Sequence, residues 1–356
     1  MSRSLFILKR RHDYTQDPSY SSSYQVATGM YNSSKFVVDE LEAGKRECKL
    51  ELVVDNNDID RVVTEYKPTH VFLEGLWVVP SKFEELMAIP RHKNVKWHIR
   101  IHSEIPFIAT EGIAMDWIPQ YLKQGVYICP NAPRALEQIK WLATKTVGGT
   151  QAEKLVQYLP NCYPTNFASY PVKVNQAEKT ELNSKGFIDI ACFGAYRPLK
   201  NHLQQAFIAL RYAESIGKNL RFHTNGRIDQ AGGPPAQNVK KLLDAAGAEL
   251  VVHNWEDRET FLKSLQEIDV LLQVSISETF NIVAADCTLA GTPMLVSKEI
   301  SWAYPTYGDP QSVTDCLRKL QLIMGNKSFF VNGNRSGLNI YASSSRRRWL
   351  SYLEAK

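Results

Sequence analysis

The cysteines of this sequence carry no pairing pattern. Six of them, Cys48, Cys129, Cys162, Cys192, Cys287 and Cys316, are scattered over 356 residues. With no CxxC pair and no metal-ligand spacing, they exclude a cysteine-built zinc site and read as reduced core thiols. Long apolar runs are missing too: none approaches the ~20 residues of a membrane span, and the opening MSRSLFILKR is too short in apolar residues for a signal peptide. The expectation is a soluble protein of the cytoplasm, in which Asn32-Ser33-Ser34 is a chance sequon. Strong charge is absent as well. Lys and Arg number 42 against 37 Asp and Glu, a formal +5, which permits a polyanionic partner without requiring one. No internal repeat or low-complexity tract interrupts the chain.

What is present is 44% apolar residues in a chain longer than one usual domain. Short apolar runs alternate with helical patterns, which predicts parallel sheets covered by helices. In the first half the strands fall near 5–9, 50–55, 70–73, 96–101 and 126–129, with a first crossover helix over 24–43. A second series follows a polar stretch. Its strands lie near 188–193, 220–224, 250–253, 270–274 and 294–297, and its helices near 202–216, 238–245, 258–268 and 280–290. The expected architecture is α/β, two doubly wound Rossmann-like domains facing across a cleft. Residues 1–165 form the first domain, 166–187 a linker and 188–335 the second, with 336–356 as a C-terminal helix packing back on the first. Ser343-Ser344-Ser345 reads as its capped start, followed by a solvated run, Arg346-Arg347-Arg348. In such sheets ligands gather beyond the carboxyl ends of the strands.

Chemistry concentrates in Ser277-Glu278-Thr279-Phe280-Asn281-Ile282-Val283-Ala284-Ala285-Asp286. The predicted strand 270–274 leads into it, and a helix from Phe280 would present the amides of Phe280, Asn281 and Ile282 to a phosphate or developing anion. Eight helical residues rise about 12 Å, so Glu278 can reach a sugar and Asp286 a ribose across a diphosphate. The same residues also fit a plain helix cap, with Asp286 facing water. A second cluster, Gly194-Ala195-Tyr196-Arg197-Pro198-Leu199-Lys200, follows the strand 188–193. Gly194 permits a tight exit there, and Arg197 and Lys200 are two fixed cations, able to neutralise a leaving diphosphate without a metal or simply to decorate the surface.

These residues resemble the retaining glycosyltransferases of the GT-B fold, in particular the GT4-like group. There, a glutamate-x7-glutamate signature contacts the donor's sugar and ribose, and an arginine–lysine pair holds its diphosphate. The resemblance implies donor-binding roles for Gly194, Arg197, Lys200, Glu278, Thr279, Phe280, Asn281, Ile282 and Asp286. Asp286 is a shorter acid than the family's second glutamate. Glu278 would position the sugar without becoming a covalent nucleophile, while Arg197 and Lys200 stabilise the departing diphosphate of a UDP- or GDP-sugar. No cofactor and no metal are implied, since Asp58-Ile59-Asp60 reads as capping acids at a helix start and not as a metal motif. The family also places a histidine beyond a central strand of the first domain, facing the transferred sugar. His102 fits, with Ser103 and Glu104 beside it. A structural histidine is the other reading, and His98 is the less favoured candidate.

The first loop departs from the family's glycine-rich turn. Instead it runs Arg10-Arg11-His12-Asp13-Tyr14, so Arg10, Arg11, His12 and Tyr14 are assigned to the acceptor side. Tyr14, Tyr20, Trp77 and Trp302 can each stack on a ring or simply pack. Residues 29–41 and 53–60 resemble glycosyltransferase-like proteins of tailed bacteriophages, whose sugar transferases often modify hydroxymethylated bases. That kinship implies modified double-stranded DNA as the acceptor and the host cytoplasm as the location. A polysaccharide, a lipid-linked sugar or a small molecule is the alternative acceptor. A sugar-nucleotide epimerase and a noncatalytic nucleic-acid-binding protein are the remaining classes.

Overall fold

The computed structural model describes residues 2–10, 29–170, 186–226 and 232–354. The chain divides into two compact units, Met1–Pro164 with Ala342–Lys356, and Thr165–Tyr341.

Among the described residues, unit 1 has a parallel sheet of order β2-β1-β3-β4-β5. Its strands are β1 (Arg3–Lys9), β2 (Glu47–Val53), β3 (His70–Glu74), β4 (Lys96–Ile101) and β5 (Tyr127–Pro130). The central strands are buried on both faces and therefore read as unbroken apolar runs, such as Leu5-Phe6-Ile7-Leu8. Helices α1 (Gly29–Ala43), α2 (Asp58–Tyr66), α3 (Pro80–Ala88), α4 (Ile105–Ile108), α5 (Ala114–Lys123), α6 (Pro133–Val147) and α7 (Gly149–Leu155) make the crossovers. In α2 the period-3.6 set Ile59, Val62 and Val63 is buried, while the acids at its start do separate work. Asp58 accepts the Val54 amide at 3.0 Å, and Asp60 binds Arg91 at 2.7 Å and His92 at 2.7 Å.

Unit 2 has the order β10-β9-β6-β7-β8, again parallel. The strands are β6 (Phe187–Ala191), β7 (Asn219–Asn225), β8 (Glu249–His253), β9 (Val270–Gln273) and β10 (Met294–Val296). They alternate with α8 (His202–Ser215), α9 (Gly233–Ala245), α10 (Arg258–Glu267), α11 (Ile282–Ala290) and α12 (Val313–Gly325). Asp257 caps α10 by accepting the amides of Glu259 and Thr260 at 3.0 and 3.1 Å, a contact worth about 1 kcal/mol. All six cysteines are buried free thiols, and burial pushes Cys48, Cys162, Cys192 and Cys316 up to about 12. No described helix is long and apolar enough to cross a membrane.

The last helix corrects the expectation of a start at Ser343. Helix α13 runs unbroken from Lys327 to Glu354, so Ser343-Ser344-Ser345 lies inside it. The glycines that weaken its sequence pattern are there for contact. A Cβ on Gly333 would lie 2.7 Å from the Tyr304 ring, and one on Gly337 2.1 Å from the Trp302 carbonyl oxygen. From Ala342 onward the helix belongs to unit 1. There Trp349 is wholly buried against Phe6 and Phe72 and donates its indole N–H to the Pro160 carbonyl at 2.7 Å. The arginine run is exposed, as a solvated charge run should be, with two surface contacts: Arg346 lies 3.5 Å from Glu40, and Arg348 donates to the Tyr158 carbonyl at 3.2 Å.

Candidate functional site

In unit 2 the loops that leave β6 and β9 are stitched together. Beyond β6 the chain turns at Gly194, whose φ of 110° favours glycine. The Gly194 amide donates to the side chain of Asn225, the last residue of β7, at 2.9 Å. A 3₁₀ turn, Pro198–Lys200, follows. Asn201, left-handed at φ 61°, then donates to the carbonyls of Val274 and Pro310 at 3.2 and 3.0 Å. The Ile276 amide donates to the Leu199 carbonyl at 2.9 Å. Gln205 of α8 completes the seam: it accepts from the Val274 amide at 2.8 Å and donates to the Lys200 carbonyl at 2.7 Å.

This seam brings Lys200 against Glu278, and the two form an ion pair. The Lys200 side chain keeps 21% of its surface and that of Glu278 8%, so the pair is shielded yet still open to a ligand. Arg197 stands half-buried at the start of the same turn.

The helix after Glu278 corrects one expectation. It begins at Ile282 and not at Phe280, because Asn281 adopts the left-handed conformation, φ 57°, and caps it by accepting the Ala284 amide at 2.9 Å. The amides without an intrahelical acceptor are therefore those of Ile282 and Val283, since Ala284 is satisfied by the cap. Glu278 and Asp286 are accordingly not eight helical residues apart, and the 12 Å rise does not separate them. Phe280 is buried, stacked on Tyr341 at 5.0 Å, and its carbonyl accepts the Trp302 indole N–H at 2.7 Å. Trp302 is thus a packing residue.

Sequence reasoning missed two supports of this loop. Gln273, at the end of β9, donates to the Phe193 carbonyl at 2.9 Å and accepts from Asn281 at 2.8 Å. Arg258, the first residue of α10, donates to Asp286 at 3.1 Å. Asp286 is buried, so it does not face water. Only the carboxylate of Asp286 gave a signal, since a buried acid calls for a cation. A further group, Asp189 with Arg221 and His223, spans β6 and β7 at 2.6 to 2.8 Å. Burial alone would raise Asp189, but His223 and Arg221 hold it down at about 2.

In unit 1, His102 follows β4. Its Nε2 lies 2.5 Å from Glu74, the last residue of β3. Burial holds its basicity below the ordinary value even though Glu74 pulls the other way. His98 is a structural residue: it is buried between the Val71 carbonyl at 3.0 Å and the Tyr352 hydroxyl at 2.7 Å. Glu104 is buried 3.5 Å from Arg134. Arg10 is exposed, its amide on the Val53 carbonyl, whereas Arg11, His12, Tyr14 and Tyr20 lie outside the described residues. Trp77 donates to the Glu74 carbonyl at 3.1 Å, with the Lys9 ammonium 6.0 Å from its ring. Among the described residues no group of three or more acids, histidines or cysteines is placed to hold a metal.

No protein-family model matches this sequence, and no curated protein is similar to it in sequence. Solved structures are similar in fold over nearly the whole chain. Sucrose-phosphate synthase from Thermosynechococcus elongatus superposes with a TM-score of 0.67 at 12% identity, covering 98% of each chain. Trehalose-6-phosphate synthase OtsA gives 0.65 at 11% identity, over 100% of this chain and 99% of that one. HepE of Anabaena, solved in complex with UDP, gives 0.62 at 9% identity, over 99% and 100%. The two parallel-sheet units are those of the GT-B fold.

Proposed function

We propose that this chain is a retaining glycosyltransferase that moves a sugar from a nucleotide-sugar, a UDP-sugar in the first instance, to an acceptor hydroxyl. The observation that carries the reading is the Lys200–Glu278 pair at the carboxyl ends of two adjacent parallel strands, where ligands of open α/β sheets bind. For the donor base, support comes from the neighbours solved with UDP or a UDP-sugar.

In this mechanism Glu278 accepts hydroxyl hydrogen bonds from the transferred sugar and fixes its orientation. Lys200 and Arg197, with the amides of Ile282 and Val283, stabilise the diphosphate as the sugar–phosphate bond breaks. The acceptor hydroxyl attacks the same face, and its proton passes to the leaving phosphate. The configuration is retained without a covalent enzyme intermediate. Asp286, held by Arg258, serves the ribose, and the family resemblance assigns a sugar contact to His102.

For the acceptor, hydroxymethylated DNA is the reading that the phage resemblance and the mild basic excess support. The neighbours named as sucrose-phosphate and trehalose-phosphate synthases favour a second reading, a sugar phosphate or other saccharide. Incubation with a panel of UDP- and GDP-sugars and with hydroxymethylated DNA, plain DNA, sugar phosphates and oligosaccharides, read by mass spectrometry, separates them. A hexose or pentose increment on one acceptor class, lost in Glu278→Ala, is expected. Full transfer by Glu278→Ala would remove the proposed site.

A further inference from the structure

A cavity of about 380 Å³ opens in unit 1 beyond the carboxyl ends of β2 and β3, near the lower end of the ~300–1,000 Å³ range of small-molecule sites. Asp55 and Asn56 line it from the loop between β2 and α2, and Val79, Ser81, Lys82 and Glu85 from the chain that enters α3. Open α/β sheets bind ligands at this end of their strands.

The polar groups of this cavity are unevenly satisfied. The Lys82 side chain is only 9% exposed and donates to Glu85 at 2.7 Å and to Asn57 at 3.4 Å. Asp55 accepts the Asn57 amide at 2.7 Å, so a carboxylate already answers the start of α2. Asn56 is left over: its Oδ1 is buried and finds no hydrogen-bond partner among the described residues. A buried acceptor without a donor is costly, and a ligand that donates would relieve it.

These groups decide the class of ligand. A phosphodiester has no proton to give Asn56 and would meet two carboxylates, Asp55 and Glu85, against the single ammonium of Lys82. A cation would compete with that ammonium. A sugar hydroxyl both donates and accepts, so neighbouring hydroxyls of one pyranose ring match acceptors and donors on the same wall, while the ring's C–H face can lie on Val79, which is 37% exposed. We propose that this cavity is a saccharide-binding site, in which Asn56 Oδ1 and Asp55 accept hydrogen bonds from ring hydroxyls and Lys82 and Ser81 donate to them. The site lies within unit 1 and stands independently of the donor-site reading.

The test uses the full chain and saturation-transfer NMR titrations with neutral probes: the methyl glycosides of glucose, mannose and galactose, maltose and cellobiose. Inorganic phosphate and a DNA duplex are added as competitors. At least one saccharide is expected to bind, and neither competitor is expected to displace it. Asn56→Leu and Asp55→Ala are each expected to weaken that binding about 3- to 10-fold, the scale of one or two lost hydrogen bonds. Ser81→Ala, on the opposite wall, is measured beside them, and urea denaturation checks that each variant is folded. Unchanged affinity in all three variants, displacement by phosphate or duplex, or a parent chain that binds none of the saccharides would overturn the site. Transfer is measured separately: a chain that binds saccharide here yet moves no sugar from any UDP- or GDP-sugar would sink the transferase reading and leave this site standing.

Discussion

Lys200 and Glu278, separated by 77 intervening positions, form a single ion pair because Asn201, Gln205 and the Leu199 carbonyl bind the loop that carries Glu278. Each charge is largely screened from water by the other's loop. Loss of either leaves a shielded partner uncompensated.

Lys200→Ala is expected to weaken UDP binding about 10- to 100-fold, the loss of one charge-assisted contact. Glu278→Ala is expected to lower transfer about 100-fold or more with a smaller effect on UDP affinity. Calorimetric titration with UDP, beside transfer rates, checks both. Undiminished UDP affinity in Lys200→Ala would take the lysine out of the donor site.

Asn281 combines a left-handed backbone with a helix cap. Asn281→Ala should cost about 2 kcal/mol, roughly half from the backbone and half from the cap. Asn281→Gly should cost less, since glycine accepts the φ without strain. Urea denaturation compares the two. Equal losses would show that the backbone conformation contributes nothing.

Gly337→Ala runs against ordinary helix propensity. An exposed helical glycine replaced by alanine gains about 1 kcal/mol, but here the new Cβ would sit 2.1 Å from the Trp302 carbonyl oxygen. A loss of about 2 kcal/mol or more is expected from overpacking. A gain in urea midpoint would mean that α13 shifts freely away from Trp302.

Buried histidines contribute to the acid sensitivity, His70 among them, held at about 4 by burial. Burial holds His98 and His202 at about 3, well below the ordinary value of about 6.5. Each is neutral in the fold and takes up a proton on unfolding. Their stabilising contribution is therefore complete above about pH 6.5 and shrinks as the pH falls toward 3, by roughly 2 kcal/mol per histidine at pH 5. Asp189, held at about 2, contributes fully above about pH 4 and loses that contribution only below it, outside this window. Urea midpoints from pH 7.5 to 5 should fall, and His202→Phe should flatten part of that slope. A flat profile across this window would contradict the burial of both rings.

The central strands were legible because parallel strands buried on both faces must be continuously apolar, as in Leu5–Leu8 and Val270–Leu272. Element ends were less so. Helix α11 starts two residues later than its apolar pattern suggests, because Asn281 stops the helix by its backbone conformation, which composition does not reveal. Ser343-Ser344-Ser345 looks like a cap, yet lies in mid-helix, since nothing in α13 from Lys327 to Glu354 breaks the hydrogen-bond ladder.

By itself the sequence determined the two parallel α/β series, through apolar runs and their spacing, and it supplied the chemically competent side chains Arg197, Lys200, Glu278, Asp286 and His102. Only the tertiary structure decided which of them meet. Lys200 joins Glu278, Arg258 joins Asp286, and Arg100 holds Glu74 against His102. The reason is physical: a buried charge must find its counter-charge, but the partner is set by strand order and loop stitching across tens of residues, which no local pattern records.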